Sequence, residues 1–282
     1  MSIAQVPPRR VGLPTHLDLP CTDNKPVENE YQPLQGMLLR SSLTPHIATL
    51  HPDGDYFIGM DCGIYFSNTE APLDGCRAPD FYYVPNVPAL LDDIMRRSYV
   101  MWVEKKPPLI VMEFVSRNGS DERDTTEFTG KFWIYERAIR APYYVIWDWP
   151  KEQLDVYLLS KKGYEPMPAN SNGRFPIEPM GIELGVWDGP YLHHTELWLR
   201  AWDRTGKLLP TGEESADAEK GRAREERKRA NTERTRANVE KQRADGETQR
   251  AEGEKQRADG ETQRAEKLAA KLRELGVDPD QI

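Results

Sequence analysis

Three charged residues, Asp80, Glu113 and Lys131, have the side-chain types that phosphate chemistry uses, and each lies beside an apolar segment. Glu113 stands inside the run PPLIVMEFVS, where an ionised carboxylate is costly unless something compensates its charge. Two carboxylates held close together repel, and a divalent cation removes that repulsion. Mg²⁺ takes one or two carboxylates and keeps several waters, which leaves room for a phosphate oxygen. A nearby lysine could hold an attacking water or stabilise charge on phosphorus.

The elements around these residues predict that the three side chains meet. Asp80 heads a predicted strand, Glu113 lies in the middle of a second one, and Lys131 lies on the helix that follows. The second strand is too apolar to have a face in water and is therefore expected to be central in its sheet. We expect the two strands to be neighbours and the helix to pack back on them, so that Glu113 faces a metal pocket. The segments are APDFYYVPNVP (78–88), PLIVMEFVS (108–116) and DTTEFTGKFWIYERAIR (124–140), the last with a capping-box spacing at Asp124 and Glu127.

The rest of the first 211 residues predicts a mixed α/β fold. Residues 1–25 are expected to form an irregular arm, and a helix follows that either begins near Pro33 or is split there into two. DYFIGMDCGIYFS (55–67) is predicted to be a strand or hairpin that is broken by Gly59 and Gly63. PYYVIWDW is expected to pair with LDVYLL across the turn PKEQ, and LWLRAWDRTGKLLP (197–210) to form a strand pair joined by DRTG. The predicted fold is a mixed sheet flanked by helices.

The last 71 residues differ in composition from everything before them. From Glu213 onward there are 17 Lys and Arg, 18 Asp and Glu, and no aromatic residue, so this part cannot build a core. Alanine recurs every seven residues from Ala216 to Ala265, but one alanine per heptad is a thin seam for a coiled coil. Three glycines weaken helix formation. The prediction is a charged, partly helical heptad-repeat tail over 212–282, after an arm at 1–25 and a domain at 26–211.

Charge and cysteine usage limit the class of protein. A net charge of −8 argues against a general nucleic-acid coat protein, although not against a nuclease. Cys21, Cys62 and Cys76 show no paired spacing and are expected to be reduced thiols. No signal-peptide core and no membrane-spanning apolar stretch is found, so we expect a cytoplasmic protein without membrane contact.

Several segments together resemble a known family. APDFYYV, SYVMWVEKKPPLIVMEFVS and KFWIYERAIRAPYYVIWD are similar to the core of the Uma-type putative restriction endonucleases, bacterial members of the PD-(D/E)xK nuclease superfamily. The similarity covers about residues 22–210, and the charged tail with its LGVDPD end also resembles the family. The resemblance implies a restriction-endonuclease-like α/β core and hydrolysis of DNA phosphodiester bonds that depends on Mg²⁺, with Mn²⁺ as a substitute.

The resemblance also implies roles for individual residues. Asp80 matches the motif aspartate and Glu113 the second acid, and the Phe114 carbonyl is implied as a further metal ligand. Val115 occupies the position where the superfamily usually has lysine, and Lys131 in K-x-x-x-Y takes over that role from the helix. Glu28 resembles the N-terminal helix glutamate that completes the pocket in relatives. Gln32 stands where relatives often carry histidine.

Structural roles compete with these functional ones. Asp80 could begin a strand, Glu113 could form a buried ion pair, Lys131 could be solvated and Glu28 could be a first-turn acid. If the acids only repel each other, removing Glu113 should leave stability unchanged or slightly higher. The competing functions are a catalytically inactive nuclease-fold protein that binds nucleic acid or regulates, and a scaffold whose tail recruits a partner. We also expect a homodimer, aided by the tail.

Overall fold

The apolar run around Glu113 is one of the central strands of a six-stranded sheet, as predicted. The computed structural model describes residues 12–20 and 29–276. The strands in chain order are β1 (Tyr56–Gly59), β2 (Ile64–Tyr65), β3 (Cys76–Arg77), β4 (Phe81–Pro85), β5 (Tyr99–Val100), β6 (Ile110–Phe114), β7 (Tyr143–Asp148), β8 (Gln153–Ser160), β9 (Gly163–Pro166), β10 (Phe175–Ile177), β11 (Ile182–Tyr191) and β12 (His194–Asp203). The helices are α1 (Tyr31–Leu50), α2 (Met101–Glu104), α3 (Lys131–Trp133), which continues as a π-helix (Ile134–Ile139), and α4 (Gly212–Glu274). Short 3₁₀ turns lie at Pro72–Gly75, Trp149–Lys151 and Glu178–Met180.

The main sheet is mixed, which confirms the predicted fold class. Its strand order is β1-β4-β6-β7-β8-β9, with β6 and β7 parallel and every other neighbouring pair antiparallel. The predicted pairing of PYYVIWDW with LDVYLL is confirmed as β7 and β8. Two three-stranded sheets accompany it, with orders β10-β11-β12 and β3-β2-β5.

The two faces of the main sheet have separate cores because side chains alternate along each strand. One face packs against α1 and the β10-β11-β12 sheet, with Phe81 and Met112 among its buried residues. The opposite face packs against the π-helix and includes Tyr82 and Val111. Glu113 follows Met112 in β6, so its side chain lies on the π-helix face of the sheet. A pocket that contains the Glu113 carboxylate must therefore open on that face.

Helix α1 is one helix that begins at Tyr31, two residues before Pro33. Of the two predicted alternatives, the helix that begins near Pro33 is therefore present, and the helix split at Pro33 is not. A proline in the first turn of a helix is tolerated because the N–H groups there have no partner within the helix. The start of α1 is held by Tyr31, whose hydroxyl donates to the Leu197 carbonyl at 2.5 Å and accepts from the Trp147 indole N–H at 2.7 Å. These bonds attach the first turn of α1 to β7 and β12.

The predicted helix over 124–140 is wrong in its first half. The Asp124 carboxylate accepts from the Thr126 N–H two residues on, which makes a turn instead of the predicted capping box. Phe128 then has a φ of +64°, in the left-handed region that a right-handed helix excludes. Helical structure begins only at Lys131, after Gly130. Local hydrogen bonding between Asp124 and Thr126 therefore outweighed the capping-box spacing that predicted a helix start at Asp124.

Two strand predictions also need correction. The segment 55–67 is interrupted between Gly59 and Gly63, as predicted, but its two strands do not form a hairpin, since β1 joins the main sheet and β2 joins the β3-β2-β5 sheet. The segment 197–210 contains one long strand, β12, whose partner is β11 and not the residues after the DRTG turn. Only an isolated bridge between Trp202 and Leu208 remains of the predicted pair.

The tail is one continuous helix in the residues the structure describes, where only partial helicity was predicted. Helix α4 has 63 residues and buries none of them. The chain divides into a unit of residues 1–214 and a unit of residues 215–282. The start of α4 belongs to the first unit, where Thr211 and Glu214 form a capping box: the Thr211 N–H donates to the Glu214 carboxylate at 2.7 Å, and the Glu214 N–H donates to the Thr211 hydroxyl at 3.1 Å.

Glu214 also neutralises a buried charge. Its carboxylate accepts two bonds from the fully buried Arg200 guanidinium, the shorter at 2.9 Å. Partial burial would raise the pKa of Glu214, but the bonds from Arg200 and from the Thr211 N–H outweigh it and keep that pKa below its usual range. The first residues of the charged tail are therefore part of the folded domain.

Among the helices that the structure describes, none combines the length and the apolar composition that a membrane span requires.

Candidate active site

Asp80 and Glu113 are neighbours where β4 and β6 meet, and the Glu113 carboxylate raises the pKa of Asp80. Strands β4 and β6 are antiparallel with Phe81 opposite Met112, and the same register continued by one residue puts Asp80 opposite Glu113. Directly opposed residues of an antiparallel pair point to the same side of the sheet. The Asp80 carboxylate also caps the end of β6, because its Oδ2 accepts from the Phe114 N–H at 2.5 Å.

Glu113 is buried and accepts two hydrogen bonds from the helix that covers it. Its side chain is only 2% exposed. The Lys131 ammonium donates to Oε2 at 3.0 Å, and the Tyr135 hydroxyl donates to Oε1 at 2.5 Å. Lys131 and Tyr135 stand four residues apart, at the point where α3 continues as the π-helix, so both side chains lie on the same side of that helix. One helical face therefore orients both oxygens of the glutamate.

Lys131 contacts a second carboxylate that was not predicted. Its Nζ lies 3.5 Å from Oε1 of Glu122, a buried residue in the loop after β6. The predicted inward orientation of Lys131 is therefore present, but the ammonium is shared between two acids. The Lys131 side chain remains 31% exposed, which leaves one side of it open to solvent.

Gln32 reaches the same site from α1. Its amide Nε2 donates to the Phe114 carbonyl at 2.9 Å and lies 3.5 Å from Oδ1 of Asp80. The side chains that meet at the end of β6 thus come from both faces of the main sheet. Glu28, the other residue implied for the N-terminal helix, lies outside the described residues.

The electrostatics of the site reflect crowded acids and partial burial. Burial, and then the Glu113 carboxylate, raise the pKa of Asp80 well above its ordinary value, although the Phe114 N–H and Lys131 oppose this shift. Asp61 adds a further negative charge to the field at Asp80. Burial would lower the pKa of Lys131, but the Glu113 and Glu122 carboxylates outweigh it and raise that pKa, so the ammonium stays protonated.

The donor atoms at this site fit a hard divalent cation. The Asp80 and Glu113 carboxylates and the Phe114 carbonyl are oxygen ligands of the type that Mg²⁺ prefers, and Mg²⁺ needs only one or two carboxylates from a protein. Burial and then the Glu113 carboxylate raise the pKa of Asp80, and a bound cation would oppose both effects by favouring the ionised carboxylate. No group of three or more His, Cys, Asp or Glu side chains within 12–20 and 29–276 is arranged to hold a metal. A cation here would therefore depend on the carbonyl and on water.

The raised pKa of Asp80 leads to a testable expectation for stability. In the folded protein this group binds its proton more tightly than in the unfolded chain, so its contribution to stability is fully present below roughly pH 4 and is lost as pH rises through the folded-state pKa. We expect Asp80→Asn, which mimics the protonated form, to raise the melting temperature at pH 7 in EDTA. The difference from the unmodified protein should shrink as the pH falls towards 4.

The control for this prediction is Asp53→Asn, which removes an exposed acid in the turn after α1. Thermal melts of both variants across pH 4–8, with and without Mg²⁺, test the effect. Mg²⁺ should stabilise the unmodified protein more than Asp80→Asn. A lower melting temperature for Asp80→Asn at pH 7 in EDTA would mean that the carboxylate is stabilising as it stands.

Sequence reasoning missed two features of the site. Tyr135 entered the sequence analysis only as the last residue of K-x-x-x-Y, although its place four residues after Lys131 could have marked it as a second donor to the same acid. Glu122 gave no such signal, because it stands among other charged residues in SRNGSDERD. Gln32 was expected only as a replacement for a histidine, and its bond to Phe114 spans 82 residues of sequence.

Comparison with known proteins identifies a family for most of the chain. The family model of Uma2, described as a putative restriction endonuclease, matches residues 25–193. This range includes Gln32, Asp80, Glu113 and Lys131, and ends within the β11-β12 hairpin. No curated protein matches the chain. Because the match covers more than half of the sequence, the chain belongs to the Uma2 family of putative restriction endonucleases.

Proposed function

We propose that this protein is a Mg²⁺-dependent endonuclease that hydrolyses DNA phosphodiester bonds at the end of β6. The observation that carries the proposal is that two sets of hydrogen bonds lie side by side at the end of β6. One joins the Phe114 N–H to the Asp80 carboxylate, and the other joins the Lys131 ammonium to the adjacent Glu113. Membership of a family of putative restriction endonucleases supports a nuclease over other phosphoesterases. The roles of the individual residues are part of the proposal.

Asp80, Glu113 and the Phe114 carbonyl would hold the cation. A bound Mg²⁺, for which Mn²⁺ would be a substitute, polarises a phosphate oxygen and lowers the pKa of a bound water. Lys131, which stays protonated, is positioned to orient the attacking water or to neutralise charge that develops on the phosphate oxygens. Tyr135 holds Glu113 in one orientation through its hydrogen bond to Oε1.

A catalytically inactive nuclease-fold protein is the second candidate, and one observation favours it. Both oxygens of Glu113 already accept hydrogen bonds, and the Phe114 carbonyl accepts one from Gln32. A satisfied network of this kind can be a structural feature of a buried site. Such a protein could still bind nucleic acid or act as a regulator.

Cleavage of nucleic acid separates the two candidates. Supercoiled DNA, a linear duplex and single-stranded RNA should be incubated with the full chain in Mg²⁺, Mn²⁺, Ca²⁺ or EDTA. The proposal expects cleavage of DNA in Mg²⁺ and Mn²⁺ and none in EDTA. Binding of DNA without cleavage by any cation, at a protein concentration that saturates the DNA, would favour the inactive protein instead.

We further propose that most of the tail is dispensable for the chemistry, while it assists assembly into a dimer. The position of the truncation decides whether this can be tested. A chain ending at Thr211 loses Glu214 and leaves the buried Arg200 guanidinium without its carboxylate. Loss of one partner of such a pair costs about 3 kcal/mol when both are buried, and somewhat less here because Glu214 is 40% exposed.

We therefore expect a chain ending at Lys220 to keep its melting temperature and its cleavage of a short duplex. The chain ending at Thr211 should melt at a lower temperature, and Glu214→Ala in the full chain should reproduce that loss. Sedimentation of each chain reports whether removal of the tail lowers the oligomeric state. Loss of cleavage by a folded chain that ends at Lys220 would show that the tail belongs to the active machinery.

A further inference from the structure

The amide of Gln32 lies between two oxygens that the proposed cation would need. Its Nε2 is 2.9 Å from the Phe114 carbonyl oxygen and 3.5 Å from Oδ1 of Asp80. The Phe114 carbonyl oxygen can only accept hydrogen bonds, and so can the Asp80 carboxylate when it is ionised. The end of the amide that approaches both oxygens must therefore be the NH₂ group. A hydrogen-bond donor therefore approaches two of the oxygens that are proposed as ligands of the cation.

The position of Gln32 is determined by the anchoring of α1. The Asn29 side chain accepts from the Gln32 N–H at 3.1 Å and so provides a partner for one of the first-turn N–H groups that have none within the helix. One turn further on, the Gln35 side chain donates to the Leu199 carbonyl at 2.9 Å and accepts from the Leu199 N–H at 2.8 Å. Gln35 is fully buried, and these bonds attach α1 to β12. The amide of Gln32 is thus brought to the site by a fixed helix.

We propose that Gln32 occupies the cation position in the metal-free protein and that its amide must leave the two oxygens when a divalent cation binds. This inference rests on the proposed metal site, and it adds a residue that sets the affinity for the cation. The amide satisfies the Phe114 carbonyl and part of the Asp80 carboxylate at a partly buried position, which stabilises the metal-free state. Cation binding has to replace these bonds, so Gln32 weakens it.

Removal of the amide should therefore tighten cation binding. In Gln32→Leu or Gln32→Met, the Phe114 carbonyl and Asp80 Oδ1 lose their donor in the metal-free protein, while the proposed ligands remain. We expect the Kd for Mn²⁺ to fall about tenfold, which corresponds to about 1.4 kcal/mol. Two variants are used because leucine and methionine differ in shape, and one of them can disturb the packing of α1.

The test is calorimetric titration of Mn²⁺ into the full chain without DNA. The matched control is Gln153→Leu, which removes a carboxylate-bound glutamine from the exposed start of β8. We expect tighter Mn²⁺ binding by Gln32→Leu and Gln32→Met and an unchanged Kd for Gln153→Leu. Melting temperatures in EDTA establish that each variant is folded.

The outcomes separate this inference from the proposed function. If folded Gln32 variants bind Mn²⁺ with an unchanged or higher Kd while Asp80→Asn abolishes binding, the metal site stands and the inference is overturned. A higher Kd would mean that Gln32 helps to hold the cation. If neither the unmodified protein nor the Gln32 variants bind Mn²⁺, both the inference and the proposed metal site are overturned.

Discussion

Replacement of Glu113 by glutamine is expected to abolish Mg²⁺-dependent DNA cleavage while the protein remains folded. The change removes one of the two proposed carboxylate ligands and the charge that pairs with Lys131. Loss of about 3–4 kcal/mol of transition-state stabilisation would lower the cleavage rate by roughly 10²–10³-fold. Glutamine keeps an oxygen for the Tyr135 hydroxyl, so the buried donor is not left without an acceptor.

The structure changes what is expected of Glu113→Ala. Sequence reasoning about repelling acids leads to unchanged or higher stability for that variant. In the structure, alanine would leave the fully buried Tyr135 hydroxyl without its acceptor, which costs about 1–3 kcal/mol, and would remove one of the two partners of Lys131. We therefore expect Glu113→Ala to melt at a lower temperature than Glu113→Gln.

Initial cleavage rates and thermal melts of the two variants test these expectations together. Glu165→Gln, an exposed glutamate on β9, is the matched control and should be unaffected in both measurements. Full cleavage by a folded Glu113→Gln protein would exclude this carboxylate from the chemistry. It would leave Glu113 with the structural role of an ion pair.

Replacement of Lys131 by methionine is expected to have the second-largest effect, and to separate chemistry from metal binding. Methionine keeps the length of the side chain but cannot donate to Glu113 or to a phosphate oxygen. We expect the cleavage rate to fall about 10²–10³-fold, as for loss of a single donor to the charge that develops in the transition state. Mn²⁺ binding should persist, because the proposed ligand atoms remain and lose a neighbouring positive charge.

Lys151→Met is the matched control for this prediction. Lys151 also pairs with a buried carboxylate, that of Asp148 at 2.9 Å, near the end of the neighbouring strand β7. Single-turnover cleavage and Mn²⁺ titration should be measured on both variants. Equal loss of cleavage in the two would point to a general loss of positive charge near DNA, and loss of Mn²⁺ binding by Lys131→Met would point to a disturbed site.

The sequence by itself determined the features that depend on short stretches of chain. The apolar run around Glu113 predicted a central strand, because only a strand buried on both faces is apolar at every position. The composition after Glu213 predicted a tail without a core, since residues that cannot bury apolar area cannot form one. The order Asp80, Glu113, Lys131 and the accompanying motifs were sufficient to predict the family, which the match over residues 25–193 confirms. The catalytic roles of these residues stay predictions.

The tertiary structure decided which groups meet at the end of β6. Gln32 and Phe114 are 82 residues apart, and their contact depends on the anchoring of α1 to β7 and β12, which no local pattern contains. The contact between Lys131 and its second acid, Glu122, depends on the course of the loop after β6. The late start of α3, at Lys131, depends on a turn at Asp124, where a side-chain hydrogen bond to Thr126 replaces the predicted capping box. Local periodicity determines which residues are buried, but the partners of a buried charge depend on how distant elements pack.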